Sequence, residues 1–206
     1  MNKKNYIWDF DGTLFDTYPA MVDGAIKAMK ELGVNVQKEE IYPIMKKHST
    51  RQLVKDYQLN ETEFTPLFHY YESQSPKLSQ PFEGTKEVLK TLKKQGASHF
   101  ILTHRLTEST WKLLNKFQLS EYINEVVGID RNFPRKPAPD SLNDLIKRHQ
   151  LRKSETIMIG DRRLDIEAGK NAGVATCLFD NDHFLDDISA DYIVDQLIKI
   201  LDMTEK

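Results

Sequence analysis

Short apolar runs alternate along this chain with segments whose apolar positions recur every three or four residues; the first pattern marks buried strands and the second amphipathic helices. Tyr6-Ile7-Trp8 opens the series. The strand pattern then lapses, and from about Thr17 to Gln80 the spacing is helical throughout. Met21, Ala25, Met29 and Leu32 form one stripe that stops at Gly33, Leu53, Val54 and Tyr57 form a second, and Phe64, Leu67, Phe68 and Tyr71 form a third. These stripes predict the core of a small helical bundle. Strand and helix then alternate again. Val88, Leu89 and Leu92 mark a helix ended by Gly96, Ser98 to Leu102 a strand, and Trp111, Leu114 and Phe117 a helix. Glu125-Val126-Val127-Gly128 is a short strand, Leu142, Leu145 and Ile146 belong to a helix capped by Asp140, and Thr156 to Ile159 is a strand ending at Gly160. A helix over Asp165 to Ala172 stops at Gly173, a strand surrounds Cys177, and Tyr192-Ile193-Val194 adds an edge strand before a last helix.

Alternation at this spacing predicts an α/β protein built on a doubly wound parallel sheet, with the helical stretch inserted after the first strand as an all-α domain. The expected boundaries are 1–16 with 81–206 for the sheet domain and 17–80 for the insertion. The stretch from Ser73 to Pro81 is polar and proline-bearing and reads as the returning linker, paired with an outgoing one near Asp16-Thr17. Two such crossings suit a cap that opens and closes.

Composition narrows the picture. With 206 residues, 39% of them hydrophobic, the chain can bury a core, and it holds no repeat or low-complexity tract. A net charge of −2 with interspersed signs gives no reason to expect nucleic acid or an anionic membrane as partner. The segment Met1-Asn2-Lys3-Lys4-Asn5 lacks the apolar stretch of a signal peptide, and no run approaches a membrane span. A soluble, cytoplasmic protein is expected, as a monomer or a weak homodimer. Cys177, the one cysteine, sits in an apolar strand and reads as structural.

The chemistry collects at strand ends. Asp9-Phe10-Asp11-Gly12-Thr13 follows the first strand, and aspartates at i and i+2 would point the same way in an ideal strand. Carboxylates at the carboxyl end of such a strand can serve as metal ligand, base or nucleophile. A calcium loop is set aside, because it needs helices on both sides and a glycine at its sixth position. Thr103-His104-Arg105 ends a second strand, Lys136 stands between Arg135 and Pro137, with Pro139 beyond, and Gly160-Asp161 ends a third strand with Asp165 four residues on. Asp161 and Asp165 would share one helix face, where two negative charges need a positive partner. Oxygen-only ligands suit Mg²⁺, and no His/Cys cluster suggests zinc. Arg162 and Arg163 read as exposed, with a pairing to Asp165 open to one of them. In the insertion, Lys46-Lys47-His48-Ser49-Thr50-Arg51 is the densest basic run, either a solvated loop or a contact for part of a substrate.

In order and spacing these segments resemble the four motifs of the haloacid dehalogenase superfamily, specifically its phosphoglycolate phosphatase-like phosphatases with a helical cap after the first strand. The resemblance covers nearly the whole chain and implies a Rossmann-like core. It also implies a Mg²⁺-dependent phosphatase that hydrolyses a small phosphorylated metabolite through an aspartyl-phosphate. Asp9 then corresponds to the nucleophile, Asp11 to the general acid and base, and Thr103 and Lys136 to the phosphoryl-binding pair, with the His104 backbone assisting. Asp9, the Asp11 main-chain carbonyl and Asp161 correspond to the metal ligands, with Asp165 behind them. Lys47 and Arg51 are the expected cap contacts to substrate. The second aspartate, Asp11, argues against a dehalogenase, and the Gly160-Asp161 to Asp165 pattern departs from that usual in sugar-phosphate mutases. A phosphonate hydrolase would need a cap lysine such as Lys46 or Lys47, and a non-catalytic phospho-ligand binder would not need Asp9 and Asp11 together.

Overall fold

The computed structural model of the chain describes residues 3–75, 77–185 and 187–203. Met1 and Asn2 of the N-terminal segment and Pro76 of the returning linker lie outside the described residues. The chain divides into two compact units, Met1–Phe15 with Pro81–Lys206, and Asp16–Gln80.

In chain order, β1 (Asn5–Trp8) is followed by a two-residue strand, β2 (Phe15–Asp16), at the exit from the first unit. Four helices follow: α1 (Tyr18–Glu31), α2 (Lys38–Lys47), α3 (Thr50–Asp56) and α4 (Glu61–Ser73). The returning β3 (Gln80–Pro81) pairs with β2. Then come α5 (Thr85–Lys94), β4 (Ser98–Leu102), α6 (Thr107–Lys116), β5 (Glu125–Val127), α7 (Asp140–Arg148), β6 (Thr156–Gly160), α8 (Arg163–Ala172), β7 (Ala175–Phe179) and β8 (Tyr192–Val194).

Six strands form one parallel sheet in the order β5-β4-β1-β6-β7-β8, with Trp8 opposite Ile101 on one side and Ile159 on the other. The protein is thus α/β with a doubly wound parallel sheet. From β1 the chain winds outward through β4 and β5, then returns to β6 on the other flank of β1 and winds away through β7 and β8. The switch point between β1 and β6 is where the crossing connections diverge and leave a crevice beyond the strands' carboxyl ends.

A parallel sheet is covered on both faces, which is why all four residues of β1 and all five of β6 are buried. Tyr6 and Trp8 pack with Val88, Leu89 and Leu92 of α5 and Leu114 of α6. Ile7, pointing the opposite way, packs with Phe100, Met158 and Leu142, Leu145 and Ile146 of α7. Each such aliphatic side chain contributes roughly 1.5–3 kcal/mol by leaving water. The helical unit has its own core of Val22, Ala25, Met29, Ile41, Met45, Leu53, Phe64 and Phe68.

Four local expectations change. The unmarked α2 carries only Ile41 and Met45 as fully buried apolar residues, too sparse a stripe to stand out. The basic run is not one loop. Lys46 and Lys47 close α2, with Lys46 buried and its ammonium 5.1 Å from the Tyr18 ring centre, while Arg51 lies in α3 and pairs with Glu61 at 2.9 Å. Asp140 is the first helical residue of α7 and does not cap it, because Pro139 takes the cap position. The last helix is a 3₁₀ segment, Leu197–Asp202. Among the described residues no helix is long and apolar enough to cross a membrane.

Cys177 is fully buried in β7, and burial pushes its thiol up to about 12, which leaves it protonated and inert. His99 of β4 is also buried: Nδ1 accepts the Trp8 indole N–H at 3.1 Å and Nε2 faces the Leu89 carbonyl at 3.1 Å. Those partners select the neutral Nε2–H tautomer. Burial lowers its pKa from 6.5 to about 4. The unfolded chain takes up the proton at the higher value, so the stability His99 contributes is full above pH 6.5 and falls away toward pH 4. Chemical denaturation at pH 7 and pH 4.5 is expected to show the parent losing about 2 kcal/mol more than His99→Asn over that interval. Equal losses would place the pH dependence in other groups.

Candidate active site

The carboxyl ends of β1 and β6 define the site. The Asp9 N–H donates to the Ile159 carbonyl at 2.8 Å, extending the ladder by one residue, so the Asp9 side chain is fixed by the sheet and is 1% exposed. The chain then turns sharply. Phe10 offers one carbonyl to the N–H groups of Thr13, Leu14 and Phe15, a wrap that passes through Gly12 at φ +82°, where a side chain would be strained. The turn aims the buried Thr13 hydroxyl at Asp161, to whose Oδ1 it donates at 3.3 Å.

Asp161 follows β6 directly, and Asp165 sits in the first turn of α8, where its Oδ2 accepts the Arg162 N–H at 3.2 Å. They do not share a helix face, since Asp161 precedes the helix. A close approach brings them together. A Cβ on Gly160 would lie 2.2 Å from the Asp165 Cβ, so only glycine leaves room for Asp165 to fold back over the strand end. Asp9, Asp161 and Asp165, all buried, each present a carboxylate oxygen within 4.8 Å of the others. Asp165 thus stands in the cluster itself, not behind it.

Lys136 is the cation among them. Its ammonium donates to Asp9 Oδ1 at 2.6 Å and the Leu102 carbonyl at 3.0 Å, and lies 2.5 Å from Asp165 Oδ1. Its backbone N–H donates to His104 Nε2 at 3.1 Å, so that imidazole positions the lysine and does not merely face solvent. Burial works against the Lys136 charge, but Asp165 and Asp9 outweigh it and hold its pKa above the usual lysine value. Asp9 is raised to about 7, by burial first and by the charges of Asp165 and Asp161, against Lys136 and Arg162. Asp9 Oδ2 is buried without a hydrogen bond. An orphaned carboxylate oxygen among three acids is a misfit for the protein alone and a fit for a hard divalent cation.

Asp11 does not join this cluster. β1 has ended before it, and the in-strand expectation of parallel side chains does not apply. Its carboxylate is bracketed by Arg105, with Nε and Nη2 each 2.9 Å from Oδ1, while Arg105 Nη1 donates to Ser109 at 3.1 Å. Thr103 is buried at the end of β4, and its hydroxyl oxygen accepts the Arg105 N–H at 3.1 Å. Arg162 corrects the sequence expectation: it is 8% exposed, with Nη2 3.9 Å from Asp9 Oδ2 and Nε 3.9 Å from Asp161 Oδ1. Arg163 is half-exposed and pairs with Asp187. Neither Arg105 nor Arg162 carried a sequence signal beyond adjacency to a motif.

The family model described as "Haloacid dehalogenase-like hydrolase" matches residues 6–179. A phosphoglycolate phosphatase of Photobacterium profundum is 31% identical over 219 residues, covering 96% of this chain and 94% of that protein. Pyrophosphatase PpaX of Halalkalibacterium halodurans is 34% identical over 131 residues, 62% of this chain and 61% of that protein. Among solved structures, a predicted phosphoglycolate phosphatase from Haemophilus somnus 129PT matches with a TM-score of 0.83 at 22% identity, over 100% of this chain and 99% of that one. A hydrolase from Streptococcus pneumoniae TIGR4 matches with a TM-score of 0.63 at 32% identity, over 87% of this chain and 94% of that one. The chain belongs to the haloacid dehalogenase-like hydrolase family. It is an enzyme, a hydrolase of the phosphatase type.

Removing the ammonium should expose the cost of the cluster. In chelator-treated protein, Lys136→Met leaves buried carboxylates without their closest cation, and urea denaturation is expected to show a loss of about 3–5 kcal/mol. An unchanged midpoint would mean the carboxylates are neutral without metal.

Proposed function

We propose that the chain is a Mg²⁺-dependent phosphatase that hydrolyses a small phosphorylated metabolite through an aspartyl-phosphate on Asp9. The observation that carries this is the Asp9 carboxylate: one oxygen held by Lys136, the other buried and without a hydrogen bond, at the sheet's switch point. Hydrogen-bonded on one side only, it is oriented without being fully quenched. A solvated turn aspartate has neither property.

In the proposed reaction a carboxylate oxygen of Asp9 attacks phosphorus as the bond from phosphorus to the substrate oxygen breaks, and Asp11 protonates the departing alkoxide. Water then attacks the acyl phosphate, Asp11 takes its proton, and phosphate leaves with the Asp9 carboxylate restored. Lys136 offsets the charge that builds on the phosphoryl oxygens, and the Thr103 hydroxyl and the His104 backbone orient the same group. Arg105, gripping Asp11, holds that carboxylate in place for both proton transfers. Asp9, Asp161, Asp165 and the Asp11 main-chain carbonyl are the residues that would hold Mg²⁺, which when bound neutralises phosphoryl charge and draws the substrate dianion to an acidic site. Substrate choice beyond the phosphoryl group is assigned to the helical unit, with Lys47 and Arg51 as proposed contacts.

Release of phosphate from a generic aryl phosphate, then from a metabolite panel that includes phosphoglycolate and pyrophosphate, tests the proposal. Chelation is expected to stop turnover and added Mg²⁺ to restore it; equal rates with and without chelator would remove the metal. Asp9→Asn, nearly isosteric but a poor nucleophile, should lower kcat by at least ~10³-fold with an unchanged circular dichroism spectrum. Near-native rates in that variant would end the covalent route.

A further inference from the structure

Resting on the metal site proposed above, we propose that Arg162 is a resident counter-cation which competes with the metal for Asp9 and Asp161 and so sets how tightly the protein holds it. Its guanidinium faces the same carboxylates from inside the protein. Nη2 is 3.9 Å from Asp9 Oδ2, the oxygen without a hydrogen bond, and Nε is 3.9 Å from Asp161 Oδ1. Both separations exceed hydrogen-bond length, so the attraction is charge to charge; it leaves Asp9 Oδ2 open to a stronger cation, while Asp161 Oδ1 accepts the Thr13 hydroxyl at 3.3 Å. Lys136 differs in kind, since its contacts to Asp9 and Asp165 are close ones.

Charge accounting gives the direction. With all three carboxylates ionised, the state that receives a metal, they face Lys136 and Arg162 among the described residues, so the cluster is short of balance by one charge with Arg162 and by two without it. The guanidinium therefore steadies the empty cluster and repels a dication entering it. Arginine suits this position because its charge does not titrate away and is spread over a planar group that can face two carboxylates at once. Burial of the side chain, 10% exposed, keeps solvent from screening either effect. A site without Arg162 would bind Mg²⁺ more tightly and fold less securely before it does.

The test uses the full-length protein stripped of metal, with Mg²⁺ alone as the probe in calorimetric titration and circular dichroism melting with and without Mg²⁺. Arg162→Met, which keeps the stem and removes the charge, is expected to tighten Mg²⁺ binding by about tenfold or more. Its metal-free melting temperature should fall and its Mg²⁺-loaded one return toward the parent's. Arg162→Lys, which keeps a positive charge, should bind Mg²⁺ within about threefold of the parent by the same reasoning. Unchanged or weaker binding in Arg162→Met, or equal shifts in both variants, overturns the proposal. If Arg162→Met is unfolded without metal, folding at Mg²⁺ concentrations below the parent's half-saturation supports it, and failure to fold at saturating Mg²⁺ overturns it. A parent that binds no Mg²⁺ would overturn the metal site as well, whereas a parent that binds it beside an indifferent Arg162→Met would overturn only the role of Arg162.

Discussion

The Lys136 ammonium, buried between Asp9 and Asp165, is the contact on which the site's geometry depends. Asp9 comes from the end of β1, Asp161 from the end of β6 and Asp165 from the first turn of α8, and like charges this close repel strongly where water is excluded. Lys136 reaches them from the segment before α7, and is itself held by the Leu102 carbonyl at the end of β4 and by His104. One side chain thus ties several separate segments together. Its burial costs free energy that the two carboxylates offset together with the Leu102 carbonyl, so cation and anions are stable as a group and unstable apart.

The fold supplies the rigidity this arrangement needs. β1 and β6 are buried on both faces and adjacent, so the residues that follow them leave the sheet from fixed points a strand spacing apart. Gly160 then permits Asp165 to lie against the strand end, and the wrap around the Phe10 carbonyl turns Thr13 toward Asp161. Apolar packing of Tyr6 and Trp8 on one face and Ile7 on the other therefore stabilises the site as well as the core. Asp11, beyond the end of the strand, falls under a different local control, the Arg105 guanidinium.

Periodicity alone revealed most of the sheet unit, because a strand buried on both faces must be apolar throughout and a covering helix must repeat its apolar positions. α2 escaped, since Ile41 and Met45 make too thin a stripe among charged neighbours. Asp140 looked like a cap because its residue type favours one, but the backbone begins the helix at that residue. The basic run looked uniform in sequence. In the structure it divides into a lysine lying over a tyrosine ring and an arginine paired with Glu61.

The candidate site shows the same division. Strand ends carrying carboxylates, a lysine beside prolines and a Gly-Asp pair were visible in sequence, because motif residues must occupy fixed offsets from strands that announce themselves. The convergence of Asp9, Lys136, Asp161 and Asp165 was tertiary, as was the separation of Asp11 from them. Arg162 makes the point most directly. A charged residue beside another charged residue reads as solvated, and nothing local says otherwise. Its burial is decided by Asp9 on a distant segment acting with the adjacent Asp161, since a charge leaves water only where opposite charges already wait, and sequence brings Asp9 there only through the whole fold.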